Sequence, residues 1–488
     1  TGQAACLEVD AGYYVASTGQ SSQTPCAAGT YQPSTGQTAC LDADAGHYVA
    51  TTGQSSQATC DPGTYQPLVG QTSCIDADVG YYVQDNSYYT GIDYQASISA
   101  GDDFACSILD DGTVVCWGNN NGWQLGNNSN FSSQNTPMQT SSLGAGRTAV
   151  AITTGQEQHS CAILDDGSVV CWGGNFWGSL GDGTNVDKAN PTQTSGFSSG
   201  RSAVDITAGQ YHTCSILDNG SVACWGPNWY GQLGDGTTTH RNTPTQTTSL
   251  GAGRTAVDIA AGEDFTCAVL DNGSVSCWGR NTYGQLGNIG LDSAGTSQTP
   301  RQTMSLGIGR TATGIAAGQH HACAILDNGS ISCWGYDGWG QLGRGGITGS
   351  AIAPAQTQNL GIGRSAVAIA AGEGHSCAIL DNGSVVCWGN NDYGQLGDGS
   401  TTDRYVPTHT LFLGTGLTPT GITAGQKHTC VSFDDGTIKC WGRNNHGQLG
   451  DNSNVDRLIP TYTSSLGVGR LSLVSGTLQP HNGSSSQD

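Results

Sequence analysis

The stretch His159-Ser-Cys-Ala-Ile-Leu-Asp-Asp-Gly-Ser-Val-Val-Cys-Trp-Gly173 decides the fold. It reads as two short apolar strands around an Asp-Asp-Gly turn, with one cysteine in each strand and Trp-Gly at the end. The phrase occurs seven times, closing at Trp117, Trp172, Trp225, Trp278, Trp334, Trp388 and Trp441, with a period of 53 to 56 residues. A unit this small cannot bury its own apolar face, so each copy must stack on the next, and such a period predicts an array of supersecondary units.

Ahead of the phrase, Ala149-Val-Ala-Ile-Thr-Thr-Gly155 reads as a further strand. The turn Asp165-Asp166-Gly167 is a three-residue hairpin closure with glycine in the left-handed position, so Leu164 faces Ser168. Counting back, Ile163 faces Val169, Ala162 faces Val170 and Cys161 faces Cys171. From a hydrogen-bonded Leu164 and Ser168 the cysteines fall on a non-bonded pair, where Cα atoms approach to about 4.5 Å, inside disulfide range. The register predicts seven bridges: Cys106 to Cys116, Cys161 to Cys171, Cys214 to Cys224, Cys267 to Cys277, Cys323 to Cys333, Cys377 to Cys387 and Cys430 to Cys440.

Composition narrows the function. Across 488 residues Asp and Glu outnumber Lys and Arg by 38 to 16, for a net charge of −22. The lysines are Lys188, Lys427 and Lys439, too few for the basic face that nucleic acid demands. The glutamates are Glu8, Glu157, Glu263 and Glu373, and most Asp sit beside Gly or Asn, so the charge is largely turn chemistry. Helix formers are scarce, and almost no helix is expected. No run of eighteen apolar residues marks a transmembrane segment. Nineteen cysteines in regular pairs point to an oxidising compartment, extracellular or at the cell surface, and lack the short pairs and His partners of a zinc site. Thr1 opens the chain without Met or leader, which suggests a processed chain or a fragment.

The amino-terminal segment has a shorter period. Cysteines at 6, 26, 40, 60 and 74 alternate gaps of 20 and 14, and Ala45-Gly-His-Tyr-Val-Ala-Thr-Thr-Gly-Gln restates Ala11-Gly-Tyr-Tyr-Val-Ala-Ser-Thr-Gly-Gln. Units this poor in apolar residues need disulfides to hold them. They resemble the cysteine-rich repeats of ephrin-receptor and tumour-necrosis-factor-receptor type. Two pairings stay open. Cys26 with Cys40 and Cys60 with Cys74 leaves Cys6 without a mate and implies more such repeats upstream; Cys6 with Cys26 and Cys40 with Cys60 leaves Cys74 instead.

The long repeat, Ala-Gly-x-x-His-x-Cys-Ala-Ile-Leu-Asp-x-Gly-x-Val-x-Cys-Trp-Gly-x-Asn-x-x-Gly-Gln-Leu-Gly, resembles that of the regulator of chromosome condensation family over about four fifths of the chain. The resemblance implies an all-β fold, a seven-bladed β-propeller. Paired cysteines replace aliphatic or aromatic positions of the family pattern. The family's nucleotide exchange on a small GTPase and its contact with chromatin suit a basic, intracellular protein, which this composition does not. Fold alone carries no function.

Several recurrent residues invite a chemical reading. His159, His212, His321, His375 and His428 stand two places before the first cysteine, with Phe104 and Phe265 in the other units. A metal or catalytic ring is the sharp reading, packing the plain one, and phenylalanine at two positions favours packing. Arg147, Arg201, Arg254, Arg310, Arg364 and Arg470 follow Gly-x-Gly, with Leu417 once, and are expected to pair with carboxylates or carbonyls between neighbouring blades. Extra tryptophans at Trp123, Trp177, Trp229 and Trp339 read as structural. Asn127, Asn130, Asn219, Asn272, Asn328, Asn382 and Asn482 match the glycosylation motif, although four of them are hairpin-turn residues where Asn is favoured anyway. No hydrolase, glycosidase or phosphate-loop pattern is present, so neither enzyme activity nor a cofactor is expected.

These readings combine into cysteine-rich repeats over 1–92 serving as a stalk, a propeller over 93–476 and a polar tail over 477–488. Leu471-Ser-Leu-Val-Ser-Gly476 repeats the inner strand an eighth time and could pair with a neighbouring molecule. The expected function is an extracellular structural or adhesive subunit of a fibre, appendage or envelope layer that self-associates into a homopolymer. The alternative is an extracellular module that binds a glycan or protein on the propeller face.

Overall fold

The computed structural model describes residues 97–466 apart from 289–294, 359, 415 and 465. Of the amino-terminal segment it describes 9–76 apart from 18–19, 44–46, 60–63, 66–70 and 74. The expectations about Cys6, Cys60, Cys74, Arg470, Asn482, the strand 471–476 and the tail 477–488 lie outside the described residues. The chain divides into two units, 1–92 and 93–488.

In the first unit, strands of two residues pair as short hairpins, Tyr13–Tyr14 with Thr24–Pro25, Thr30–Tyr31 with Leu41–Asp42 and His47–Tyr48 with Ala58–Thr59. Backbone bonds such as Gly12 N–H to Gln32 O and Gly29 N–H to Val49 O tie one hairpin to the next. A disulfide joins Cys26 to Cys40, the first of the two open pairings.

The second unit is all-β, a seven-bladed propeller built from seven four-stranded antiparallel sheets. The blades span 98–139, 149–193, 203–246, 256–302, 312–356, 366–409 and 419–462, each from one continuous stretch of chain. One short 3-10 turn, Ser198–Gly200, is the only helical element among the described residues. In blade two Ile163 faces Val169, Ala162 faces Val170 and Cys161 faces Cys171. The turn glycine Gly167 takes φ of 73°, as the three-residue closure requires. The seven cysteine pairs are bridged and completely buried, with Cα atoms 4.0 to 4.1 Å apart.

Between the third and outer strands the register slips at the tryptophan, as at Cys171 and Gly173. The slip turns each indole out of its own sheet and into the joint between blades, where all seven are fully buried. Each apolar cluster therefore spans two neighbouring blades, as Val169, Leu180, Phe197, Leu217 and Trp225 do. The ring closes without exchanging a strand: Trp117 Nε1 donates to Gln448 O at 2.9 Å, Ala100 N–H to Thr423 Oγ1 at 3.0 Å and Asn452 N–H to Asn135 O at 2.8 Å.

The arginines after Gly-x-Gly do not bridge blades as expected. Arg147 lies 3.3 Å from Asp165 and 2.8 Å from Asp166, Arg201 3.5 Å from Asp218 and Arg310 3.2 Å from Asp327. Arginine and turn belong to one blade, because the loop entering an inner strand folds over the hairpin of the strands that follow. The pairs are over one-third exposed and contribute little stability.

Each bridge closes a loop ten residues apart in sequence. Replacing Cys161 and Cys171 together by alanine should lower unfolding free energy by about 2 to 3 kcal/mol on the chain-entropy account. Chemical denaturation under non-reducing conditions measures this, and an unchanged midpoint would show that packing alone holds the hairpin.

Candidate functional site

Each inner strand ends on a glycine and the chain turns straight back into the second strand, so the residues after that glycine crowd one end of the ring axis. Asp102, Gln156, Gln210, Glu263, Gln319, Glu373 and Gln426 stand innermost. Their backbones link blade to blade: Asp102 N–H donates to Gln156 O at 2.8 Å, Gln156 to Gly209 at 3.0 Å, Gln210 to Glu263 at 3.3 Å, Glu263 to Gln319 at 3.2 Å, Gln319 to Gly372 at 3.2 Å and Glu373 to Gln426 at 3.3 Å. At the closing joint a side chain takes over, Gln426 Nε2 reaching Asp102 Oδ2 at 3.4 Å. In blade two this turn has one residue more, and the extra Glu157 accepts Gln210 Nε2 at 3.2 Å.

Carboxylates so close raise one another's proton affinity. Burial first, then Glu157 and Asp103, hold Asp102 well above the ordinary carboxylate range. Burial and then Asp264 push Glu263 up to about 7, while Arg280 pulls it back.

A second tier surrounds the mouth. The residue after Trp-Gly supplies Arg280 and Arg443, and the second residue after the inner-strand glycine supplies Asp103, Asp264, His320 and Lys427. Arg280 Nη1 sits 3.4 Å from Asp264 and 3.8 Å from Glu263, Lys427 Nζ 3.6 Å from Glu373, and Arg443 Nη1 3.8 Å from Asp103. Aromatic residues of the loop before Gly-Gln-Leu-Gly hold these cations from the side: Arg280 lies over Tyr230 at 5.0 Å, and Lys427 and Arg443 lie over Tyr393 at 5.3 and 5.4 Å. The central hollow holds about 20 Å³, the space of about one water.

The sequence-predicted residues lie elsewhere. The arginine–aspartate pairs and the turn residues Asn219, Asn272, Asn328 and Asn382 occupy the opposite end of the strands, exposed, with each Asn Oδ1 accepting N–H and Oγ–H of the serine two residues on. Asn130 is exposed and Asn127 half-buried. The face residues were missed because no motif contains them, yet Arg280, Lys427 and Arg443 fall at fixed places in the repeat. Aligning the seven units by their Trp-Gly would have placed three of the four glutamates and these cations at one end.

The histidines are buried latches. His159 Nε2 meets Thr213 Oγ1 of the next blade at 3.0 Å, and His212 meets Thr266, His321 Ser376 and His375 Thr429 at 2.9 Å. Each hydroxyl already donates to a carbonyl of the preceding blade, as Thr213 does to Ser179 O at 3.1 Å, so it accepts the imidazole Nε2–H and leaves Nδ1 unprotonated. Burial drives these imidazoles down to about 3 or 4. Where the neighbour has no hydroxyl the pattern changes, as Phe265 precedes a blade with Ala322. Among the described residues no three His, Cys, Asp or Glu side chains group as a metal site.

The ultraviolet-B receptor UVR8 of Arabidopsis thaliana is 30% identical over 393 residues, 80% of this chain and 86% of that one. This chain belongs to the regulator of chromosome condensation repeat family. Models of the family's repeat match 166–216 and 219–269, and a second model matches 96–122, 149–176 and 203–232. An RCC1-like domain model matches 246–477. Two further relatives are 30% identical: the human E3 ubiquitin-protein ligase HERC2, over 72% of this chain but 7% of that protein, and the bovine secretion-regulating guanine nucleotide exchange factor, over 60% and 64%. Yeast RCC1 (Prp20), in a structure bound to Kap60, shares the fold with a TM-score of 0.65 at 20% identity, covering 80% of this chain and 91% of that one. Human WBSCR16 does so with 0.63 at 22%, covering 76% and 90%.

The family corrects the functional expectations. RCC1-repeat relatives are described as a receptor, a ligase and an exchange factor, which are regulators; neither a fibre subunit nor a surface module for glycans has a counterpart among them. Self-association into a homopolymer falls with the fibre, since none of these relatives at 30% identity is described as a polymer subunit. The outer strands supply a physical reason. Pro137, Pro191, Pro244, Pro300, Pro354, Pro407 and Pro460 each remove a backbone donor from an outer strand, which blunts all seven edges against pairing with another chain.

The latches make stability pH-dependent. An unfolded histidine takes its proton near pH 6.5, whereas the buried ones resist until about 3 or 4, so stability is full above pH 6.5 and falls as pH drops below it, by about 1.4 kcal/mol per pH unit for each such group. Asp102, Glu263, Asp264 and Asp403, raised, act in the opposite sense but are outnumbered by the five buried histidines His159, His212, His321, His375 and His428. The melting midpoint should therefore fall from pH 6.5 to 5, and His375→Phe, imitating Phe265, should flatten that fall. A midpoint independent of pH would exclude neutral burial.

Proposed function

We propose that this protein is a non-catalytic, regulatory propeller that recognises a partner protein with the face carrying the axial carboxylates and their paired cations. The observation that carries the reading is the alternation of charge on that face: Asp103 faces Arg443 and Glu373 faces Lys427 across blade joints, Asp264 and Glu263 face Arg280 within blade four, and Tyr230 and Tyr393 of the preceding blades fix the cations. Prearranged charges on a broad surface suit specific protein recognition. Small molecules require a concave site, and the axial hollow of about 20 Å³ is too small for one. The regulatory descriptions of relatives at 30% identity support the same reading.

The compartment is a separate proposal. Seven buried bridges support an oxidising one, outside the cell, with residues 1–92 as a disulfide-held stalk of ephrin-receptor or tumour-necrosis-factor-receptor type and the exposed Asn219, Asn272, Asn328 and Asn382 open to glycosylation. Cysteines alkylated without reduction in protein from the native source would exclude it.

Affinity capture from native material with Lys427→Glu plus Arg443→Glu, alongside Arg310→Glu on the opposite end, tests the recognition surface. The double variant should lose at least tenfold of the captured partner, and Arg310→Glu should retain it. Loss at Arg310 alone would move recognition to the other end and overturn the reading.

A further inference from the structure

The recognition face carries two aromatic series, a half-buried one of Tyr283, His320, Tyr336 and Trp339 in blades four and five and a more exposed one in blades two and three. Phe176, Trp177, Trp229 and His240 touch in series, with ring centroids 4.7 Å apart for Phe176 and Trp177, 5.0 Å for Trp177 and Trp229 and 4.9 Å for Trp229 and His240. Phe176 is 71% exposed, Trp229 42% and Trp177 36%. His240 stands where the other blades hold Asp187, Asp403 or Asp456. Its Nδ1 accepts Asn228 N–H at 2.8 Å as those carboxylates accept the matching N–H, so a ring replaces a charge without loss of the loop's hydrogen bond.

At two joints of this face an aromatic of one blade is covered by a cation of the next. Arg280 of blade four covers Tyr230 of blade three, and Lys427 and Arg443 of blade seven cover Tyr393 of blade six. Trp177 of blade two occupies the same place as Tyr230 and Tyr393, but blade three offers Pro227 where Arg280 and Arg443 stand and Tyr211 where Lys427 stands. The nearby cations of the loops, Lys188 and Arg241, are taken up by Asp182 at 3.2 Å and Asp235 at 2.7 Å. Glu157, the additional carboxylate of blade two, makes no ion pair among the described residues. Trp339 and Tyr283, at the same place in the repeat as Trp177, also have no cation over them among the described residues but are half-buried. Trp177 and Trp229, indoles being the best cation–π acceptors, are thus exposed rings without a cation among the described residues, within an acidic protein of net charge −22.

We propose that Trp177 and Trp229, flanked by Phe176 and His240, receive an arginine or lysine side chain from a basic segment of the partner protein. This rests on the recognition face argued above and names the chemistry of the partner. The cation of the partner completes across the interface the stacking that Arg280 and Lys427 complete within the chain.

A labelled Arg-Gly repeat peptide, with a Glu-Gly repeat as control, titrated into the full chain by fluorescence anisotropy tests this. The basic peptide should bind and the acidic one should not. Trp177→Ala and Trp229→Ala should each weaken binding at least fivefold, and Trp177→Phe should retain most of it. Pro227→Arg, which supplies an internal cation, should compete and weaken binding similarly. These tryptophan changes leave net charge untouched, so an affinity indifferent to them would assign the peptide to the general acidic field and overturn the proposal. If the captured partner is lost with the Lys427 and Arg443 double variant but not with the tryptophan variants, the recognition face stands and this inference alone fails.

Discussion

At four of the seven blade joints one carbonyl takes both an indole N–H and a hydroxyl of the next blade. Gln124 O receives Trp172 Nε1 at 2.9 Å and Ser160 Oγ at 3.0 Å, both from the next blade; Gln341 O receives Trp388 and Ser376, and Gln395 O receives Trp441 and Thr429. An indole N–H buried in an apolar joint costs free energy unless it is bonded, so the tryptophan fixes where the preceding Gly-Gln-Leu-Gly loop must lie. The loop's second glycine follows from the same contact. Gly181 has φ of 67°, and a Cβ there would come within 2.8 Å of the Trp225 indole. The two most recognisable pieces of the repeat, Trp-Gly and Gly-Gln-Leu-Gly, are therefore the two halves of one joint, contributed by different blades.

This explains why the ring needs neither helix nor exchanged strand. Each joint combines a buried indole, bonded in six of the seven to a carbonyl of the preceding blade with Trp278 Nε1 left without a partner, and, in four cases, a histidine to Ser or Thr latch. The joint between blades seven and one is weaker in polar terms, because His428 faces Ala105 and finds no hydroxyl. It retains Trp117 to Gln448 O and gains Gln448 Nε2 to Asp103 Oδ1 at 2.9 Å. Closure is thus spread over a polar face contact and an apolar cluster of Ile98, Val115, Trp117, Ile438 and Leu449.

What was legible in the sequence follows from what is local. Hairpin register depends on a turn and a two-residue alternation, so the facing of Cys161 and Cys171 could be counted from Gly167 alone. The joints were half legible: the tryptophan period announced seven stacked units, but that Thr213 answers His159 requires knowing that one side of each sheet meets the other side of the next. The face was least legible. Glu263, Arg280 and Tyr230 come from three loops of two blades and share no motif, and only the ring geometry makes them neighbours. Fibre-like repetition misled for a related reason. Repeats that stack on one another inside a closed ring leave no repeat unsatisfied at an end, so internal repetition implies nothing about polymerisation once the ring closes.

The repeat also makes its exceptions informative. Seven units under the same packing demands should differ only where packing is indifferent or where something besides packing acts. Leu417 replaces the arginine of the loop, and Lys439 then donates to Leu413 O at 2.8 Å and Phe412 O at 3.2 Å, a repair internal to blade seven. Pro227, Tyr211 and His240 in blade three receive no such repair: the cation is absent, and the ring that would replace a lost charge adds to an exposed aromatic platform. Exposing two tryptophans and a phenylalanine has no benefit within the folded chain, where burial is worth about 25 cal/mol per Å² of apolar surface. The imbalance between blade seven, which mends its irregularity, and blades two and three, which display theirs, is the physical ground for locating recognition in that sector of the face.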